Sequence, residues 1–259
     1  NPGQKAGLGN SLIKSLMEDE AHRLWEGTDS GLYIYDPETE RFTDRQLYDP
    51  EGKLITKPIA GLERDPKGCI WITVEANGVF RHDPRTGRTE NCYRERRALL
   101  TLRGDRSGVI WFSGYGGGLF YTEDGFREVK PFLDAEGQPI YPKDIISFIC
   151  FSDYNKLYLG LEAHGVVEVN LVTAQVTRLR LTDDPETPLF VRYILQYAPD
   201  ELWIGTESGI IVYNTRTRHC QHLRSSLYDP YSLSDNAVYS LYNARKGVLW
   251  VGSFFGGIN

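Results

Sequence analysis

The sequence has few of the residues that build metal centres or disulfide frameworks. Its 259 residues include only four cysteines and five histidines, and no C-x-x-C pair occurs. Cysteines spread this widely are typical of small buried hydrophobic side chains, so neither a metal site nor a disulfide framework is predicted. No cofactor is expected. The four cysteines are Cys69, Cys92, Cys150 and Cys220.

Long apolar runs and excess positive charge are also missing. The longest apolar run covers residues 145–151, far below the ~20 residues that cross a bilayer. Any membrane attachment is therefore expected to come from segments outside this sequence. Lys and Arg number 29 against 35 Asp and Glu, which gives a net charge of −6. Because nucleic-acid binding needs a cationic face to neutralise phosphates, no such partner is predicted.

What the sequence does contain is a repeat. Six segments share an aromatic anchor, a small-residue pair, a short polar loop, a glycine and an apolar stretch. The steps between successive anchors are 46, 40, 47, 45 and 47 residues, and all five tryptophans of the chain are anchors. The six anchors are Trp25, Trp71, Trp111, Tyr158, Trp203 and Trp250.

Each repeat carries the signals of four short strands. An alternating stretch precedes the anchor, and a D/N-x-x-T turn and a further short strand follow in most repeats. Four strands in a period of this length are typical of a propeller blade, so the sequence predicts an all-β propeller of four-stranded antiparallel blades. About six blades are expected, as part of a seven-bladed propeller, with the anchors packed between them. The predicted blades of this single domain (residues 1–259) cover residues 11–48, 56–93, 98–130, 144–181, 190–224 and an incomplete 236–259.

The repeats resemble a known family. The segments Leu24–Leu32, Leu202–Ile210 and Leu233–Asn259 are similar to two-component regulator propeller repeats. Those repeats build the periplasmic sensor region of hybrid two-component histidine kinase/response regulators in Bacteroides-type bacteria. The resemblance implies a periplasmic, non-catalytic sensing segment that lacks the kinase, and it implies an oligosaccharide as the ligand.

The predicted ligand face follows from the blade topology. If the first strand of each blade is innermost, the loops between second and third strands share one face with the connections between blades. Carboxylate, amide and aromatic groups on these loops suit a hydroxyl-rich sugar. The alternative is that such loops are polar only because they are solvated. The candidates from these loops are Asp29, Glu75, Asn77, Tyr115, Glu162, His164, Glu207, Phe254 and Phe255.

A basic cluster offers a further candidate site. Arg94, Arg96 and Arg97 lie on a predicted connection between blades, and guanidinium groups bind carboxylate or sulfate groups of an anionic saccharide. A solvated turn, or ion pairs to a neighbouring chain, would explain the same residues.

Two other functional classes stay open. Propellers also host lyases and glycosidases, but no G-x-S-x-G motif occurs, and carboxylates scattered over loops are equally typical of solvated turns. A structural or dimerising propeller is the other alternative.

Because the sixth repeat ends before an outer strand, we expect an open fragment whose ends self-associate, or else a six-blade ring.

Overall fold

The computed structural model describes residues 12–49, 51–94, 99–152, 155–184, 187–244 and 247–259. Over these residues the chain is all-β, with 23 strands and no helix, so it has no helix that could cross a membrane. The strands form antiparallel sheets in which consecutive strands are neighbours. Each sheet is a propeller blade, which confirms the predicted fold class.

The chain divides into two compact units. The first contains the described residues up to Gly116 together with Phe120–Pro131, and it holds blades 1 to 3. Blade 1 comprises β1 (Ile13–Glu18), β2 (Leu24–Thr28), β3 (Gly31–Asp36) and β4 (Arg41–Asp44). Blade 2 comprises β5 (Ile59–Arg64), β6 (Ile70–Val74), β7 (Gly78–His82) and β8 (Thr89–Tyr93). Blade 3 comprises β9 (Leu99–Gly104), β10 (Ile110–Gly114), β11 (Phe120–Thr122) and β12 (Lys130–Pro131).

The second unit contains Gly117–Leu119 and Phe132–Asn259, and it holds blades 4 to 6. Blade 4 comprises β13 (Ile146–Phe151), β14 (Lys156–Leu161), β15 (Gly165–Asn170) and β16 (Val176–Arg178). Blade 5 comprises β17 (Val191–Ala198), β18 (Glu201–Thr206), β19 (Gly209–Asn214) and β20 (Cys220–Leu223). Blade 6 has three described strands, β21 (Val238–Asn243), β22 (Leu249–Ser253) and β23 (Gly257–Ile258).

The first strand of each blade is the inner one. Within the first unit β1 contacts β5 and β5 contacts β9, and within the second unit β13 contacts β17 and β17 contacts β21. In blades 1, 4 and 5 the third and fourth strands are joined by the predicted turns, in which an Asp or Asn side chain accepts backbone hydrogen bonds. Asp36 Oδ1, for example, accepts hydrogen bonds from the backbone N–H groups of Glu38 and Thr39, and Asn170 and Asn214 repeat this pattern.

An aspartate six residues before the tryptophan ties the first hairpin of blades 1 to 3 together. Its Oδ1 accepts the backbone N–H groups of the turn, and its Oδ2 accepts the indole N–H. The indole-to-carboxylate distances are 2.9, 3.2 and 3.0 Å for Asp19–Trp25, Asp65–Trp71 and Asp105–Trp111. A buried indole N–H needs an acceptor. Where Tyr158 replaces the tryptophan in blade 4, its hydroxyl donates to Glu168 instead.

Small residues at the end of the second strand let neighbouring blades approach. A Cβ on Gly160 would lie 2.7 Å from Val191 Cγ1 of blade 5, and one on Gly205 would lie 3.0 Å from Val238 Cγ1 of blade 6. The first contact is shorter than real Cβ contacts and the second is tighter than most of them, so packing against the next blade favours glycine at both positions.

Four of the six anchors are buried, as expected: Trp25, Trp71, Trp111 and Tyr158. Trp203 is half-buried, and Trp250 is 50% exposed. The anchors are thus mostly buried, as the sequence predicted, and Trp250 is the exception. Its strand belongs to blade 6, and no later blade among the described residues of the second unit covers that face.

Candidate functional site

The turns between second and third strands lie at the same end of the blades as the connections between blades. In five blades the turn donates a backbone hydrogen bond to the carbonyl that precedes the first strand. The five donor–acceptor pairs are Asp29–Leu12, Glu75–Pro58, Glu162–Ile145, Glu207–Phe190 and Phe254–Ala237. This end of the blades is called the turn face below.

A β-bulge near the start of every inner strand adds a side chain at the turn face. In each of the six blades one extra residue near the start of the first strand shifts its register with the second strand, and blade 5 has a second shift between Gln196 and Ala198. A bulge changes the direction of the side chain that it carries. The bulged residues are Lys14, Ala60, Leu100, Ser147, Arg192 and Tyr239.

In the first unit, the described candidates are mostly engaged in local contacts. Asp29 Oδ1 accepts the backbone N–H of Leu12 at 3.1 Å. Glu75 lies 3.7 Å from the Nζ of the bulged Lys14. Asn77 is in the β6–β7 turn, where its carbonyl accepts from the Asn91 side chain. Tyr115 is half exposed in the β10–β11 turn.

The basic cluster is only partly described. Arg94 follows β8, is exposed, and forms an ion pair with the exposed carboxylate of Glu51. An ion pair between exposed side chains contributes little to stability. Arg96 and Arg97 lie outside the described residues, so the predicted anionic site at this cluster stays a prediction.

In blade 4 of the second unit, Glu162 and His164 occupy the β14–β15 turn. His164 Nδ1 lies 3.5 Å from Asp144 Oδ1, and its backbone carbonyl accepts from Arg178 Nε at 3.1 Å. Among the described residues no group of three or more His, Cys, Asp or Glu side chains could hold a metal ion.

Blades 5 and 6 bring three candidates together. Glu207 Oε1 accepts hydrogen bonds from Arg192 Nε at 2.6 Å and from the Tyr239 hydroxyl at 2.8 Å. The Arg192 guanidinium carbon lies 5.2 Å from the centre of the Tyr239 ring. Tyr239 is 5.2 Å from Phe254, and Phe254 meets Phe255 edge to face at 4.6 Å. These five residues are called the blade 5–6 patch.

The aromatic part of this patch is open to solvent. Phe254 and Phe255 are 58% and 85% exposed. Their turn is nevertheless held in place, because Asp235 Oδ2 accepts the backbone N–H of Phe255 and Ser234 Oγ donates to the carbonyl of Gly256. The hydrogen bond from Phe255 also holds the pKa of Asp235 below its usual range. The L-S-D-N motif thus positions two exposed rings.

Arg192 and Tyr239 were not among the residues predicted from the sequence. Both are bulged residues. Side chains normally alternate between the two faces of a strand, so a pattern based on that alternation assigns a bulged residue to the wrong face. The sequence did contain a signal for them. When the six repeats are aligned, this position of the inner strand is polar or aromatic in four repeats, as Lys14, Ser147, Arg192 and Tyr239.

The last repeat is the part of the chain that matches a known protein family. Residues 232–255 match the two-component regulator propeller family. The resemblance predicted from the sequence is confirmed at this repeat, which contains the L-S-D-N motif and the anchor Trp250. No curated protein matches the chain in sequence.

Solved structures share the fold at low sequence identity. The extracellular domain of a one-component system from B. thetaiotaomicron has a TM-score of 0.80 and 16% identity, over 98% of this chain and 33% of that chain. The extracellular domain of a hybrid two-component system from the same organism has a TM-score of 0.61 and 17% identity, over 98% and 40%. The present chain therefore spans between a third and two fifths of these sensor structures.

An enzyme shares the fold as well. Virginiamycin B lyase from Staphylococcus aureus has a TM-score of 0.69 and 14% identity, over 100% of this chain and 85% of that chain. Identities this low show a common fold and leave the chemistry to be argued from the residues themselves.

Proposed function

We propose that this chain is an extracytoplasmic ligand-sensing propeller segment of a hybrid two-component sensor, that it is not catalytic by itself, and that its ligand is an oligosaccharide. The family match at residues 232–255 and the fold shared with extracellular sensor domains support the class of protein. A periplasmic location follows from the same class.

The observation that carries the ligand class is the blade 5–6 patch. The apolar faces of pyranose rings pack on exposed aromatic rings, and Phe254, Phe255 and Tyr239 present such rings side by side. Glu207 and Arg192 lie next to Tyr239 and supply an acceptor and donors for sugar hydroxyl groups. Preformed contacts hold these groups, so little ordering is needed on binding.

Isothermal titration calorimetry with a panel of neutral oligosaccharides tests this proposal. For any saccharide that binds, Phe255→Ala should weaken binding by roughly 2- to 10-fold, the range expected for one aromatic contact. Val172→Ala, an exposed apolar change in the β15–β16 turn, is the matched control and should leave binding unchanged. If no saccharide binds, or if contacts map near Asp36, Asp83 or Asn214 at the opposite end of the blades, the proposed site is wrong.

The absence of catalysis is a separate part of the proposal. Three carboxylates of the turn face are engaged in local contacts: Asp29 with Leu12, Glu75 with Lys14, and Glu207 with Arg192 and Tyr239. Glycoside hydrolysis needs two carboxyl groups roughly 5 to 9.5 Å apart on either side of the scissile bond. Incubation with the bound saccharide should yield no new products, whereas turnover that is lost in Glu75→Gln, Glu162→Gln or Glu207→Gln would show an enzyme.

Self-association is a second candidate function, favoured by one face of blade 6. Tyr242 and Trp250 are paired directly across β21 and β22, and Ile258 is paired with Gly252 on the same face. All three large side chains are exposed. In blades 4 and 5 the equivalent face is covered by the next blade. Sedimentation velocity should show dimers that Trp250→Lys abolishes, and a monomer at all concentrations would refute this function.

A further inference from the structure

A cavity of about 410 Å³ lies at the turn face of blade 4. It forms where the β14–β15 turn meets the connection from β16 to β17. Gly165 N–H donates to the Leu189 carbonyl, and Leu189 N–H donates to the Ala163 carbonyl, each at 3.1 Å. These two hydrogen bonds fasten the connection over the turn. The volume lies within the range of small-molecule sites, roughly 300 to 1,000 Å³.

The cavity has an apolar wall. Leu179, Leu181 and Leu189 line it, and the latter two are also buried in the core of blades 4 and 5. Because their inner sides belong to a packed core, these leucines are held in place. A ligand with an apolar body would remove their remaining surface from water.

The polar wall of the cavity is cationic. Arg178 and Arg180 line it together with His164 and the hydroxyl-bearing Thr182 and Thr187, and none of the described lining residues carries a carboxylate. Arg178 is already oriented by its hydrogen bond to the His164 carbonyl. Arg180 is exposed and has no ion-pair partner among the described residues. Guanidinium groups bind carboxylates through charge-assisted hydrogen bonds.

Two acidic residues near the cavity, Asp144 and Asp184, make local contacts. Asp144 lies beside His164 at 3.5 Å. Asp184 Oδ2 accepts the Thr187 hydroxyl at 3.3 Å, and its carbonyl accepts the Thr182 hydroxyl at 2.8 Å. These bonds orient the two threonines, which line the cavity together with the arginines.

We propose that this cavity binds a small organic carboxylate whose anionic end contacts Arg180 and whose apolar body packs against Leu179, Leu181 and Leu189. A neutral sugar would leave the leucines in contact with hydroxyl groups, and an inorganic anion would leave them uncovered. The site is distinct from the blade 5–6 patch, so this inference does not depend on the proposed oligosaccharide.

Hexanoate is the probe, and 1-hexanol is its neutral counterpart. Titration of the methyl-labelled protein with hexanoate should shift the NMR signals of Leu179, Leu181 and Leu189, while 1-hexanol at the same concentrations should shift them much less. Arg180→Gln should weaken hexanoate binding roughly tenfold, because it removes a charge-assisted hydrogen bond.

The next blade offers a matched control. Arg180 follows Leu179, which bonds to Val166 of β15, and Arg224 follows Leu223, which pairs with Ile210 of β19. Arg224 is thus the equivalent residue in blade 5, and it does not line the cavity. Arg224→Gln removes the same charge and should change hexanoate binding less than twofold.

The two arginine variants are surface changes, so unchanged thermal stability verifies that both are folded. Equal binding of hexanoate and 1-hexanol would show an apolar cavity without anion recognition, and the proposal would be wrong. The proposal would also be wrong if Arg180→Gln and Arg224→Gln weakened hexanoate binding equally. The same holds if hexanoate shifted only the methyl signals of other residues, or shifted none. Failure of oligosaccharide binding in the calorimetric panel would leave this result unaffected.

Discussion

Glu26 is a carboxylate at a repeat position that is apolar in the other blades, where it is occupied by residues such as Ile72, Ile204 and Val251. It is 5% exposed, and its Oε2 has no hydrogen-bond partner. Burial raises the pKa of Glu26 above its ordinary value of 4.5. A buried carboxylate without full hydrogen bonding destabilises the folded state when it is ionised.

We therefore expect Glu26→Gln to raise the melting temperature at pH 7. Because the folded-state pKa is raised, the cost of ionisation is absent below the ordinary pKa and grows as the pH rises above it. The gain should accordingly shrink at pH 4. Differential scanning fluorimetry at both pH values measures this, and a variant less stable than the wild type at pH 7 would contradict it.

His82 titrates in the opposite sense. It is buried in blade 2, its Nδ1 lies 2.9 Å from Thr89 Oγ1, and its Nε2 lies 3.3 Å from Arg45. Burial, followed by the charge of Arg45, lowers the pKa of His82 to about 4. The folded state therefore resists protonation, whereas the unfolded chain takes up a proton near pH 6.5.

Stability that depends on neutral His82 is present above pH 6.5 and is lost as the pH falls towards 4. The loss should amount to at most about 3 kcal/mol. In urea titrations at pH 7 and pH 4.5, His82→Gln should lower stability at pH 7 but reduce the difference between the two pH values. His219→Gln, an exposed change, should leave that difference intact.

At the scale of the element, the aspartate–tryptophan pair holds the first hairpin of a blade. Asp65 accepts from the backbone of Lys67 and Cys69 as well as from the Trp71 indole. Asp65→Ala should destabilise the chain by roughly 1 to 3 kcal/mol, because buried donors lose their acceptor. Trp71→Phe removes only the indole donor. A double-mutant cycle of Asp65→Ala and Trp71→Phe therefore separates the free energy of the indole contact from that of the backbone turn. A coupling energy of zero would show that the turn alone matters.

Between elements, the packing of blades 5 and 6 depends on Gly205. Gly205→Ala places a Cβ 3.0 Å from both Val238 Cγ1 and the Val238 carbonyl, and overpacking of this kind costs roughly 1 to 3 kcal/mol. Gly104→Ala is the control, because its Cβ would have no neighbour closer than 3.5 Å. Chemical denaturation of both variants should show a loss for Gly205→Ala alone.

At the scale of the whole molecule, net charge and exposed aromatic surface together determine how strongly copies of the chain associate. The net charge of −6 at pH 7 falls to zero near pH 5.5, where repulsion between copies is weakest. We expect association through Tyr242, Trp250 and Ile258 to be stronger at pH 5.5 than at pH 8. Sedimentation velocity at the two pH values checks this, and the same weight-average mass at both would contradict it.

The repeat, the four-strand blades and the position of each polar turn could be predicted because their signals are local. A tryptophan anchor, a glycine with positive φ such as Gly209, and an Asx turn such as that of Asn214 each act within a few residues. The aspartate six residues before the tryptophan in blades 1 to 3 is visible in the sequence, but its bond to the indole is a property of the folded hairpin.

Tertiary structure alone decided which candidates meet. The bulges at Arg192 and Tyr239 turn two inner-strand side chains towards Glu207, and no period-2 pattern contains that change. The exposure of Trp250 and the cavity beside Arg180 depend on which blade or connection covers a surface. Local sequence determines strands and turns because their hydrogen bonds are short-range, whereas sites form from side chains that only the packing of blades brings together.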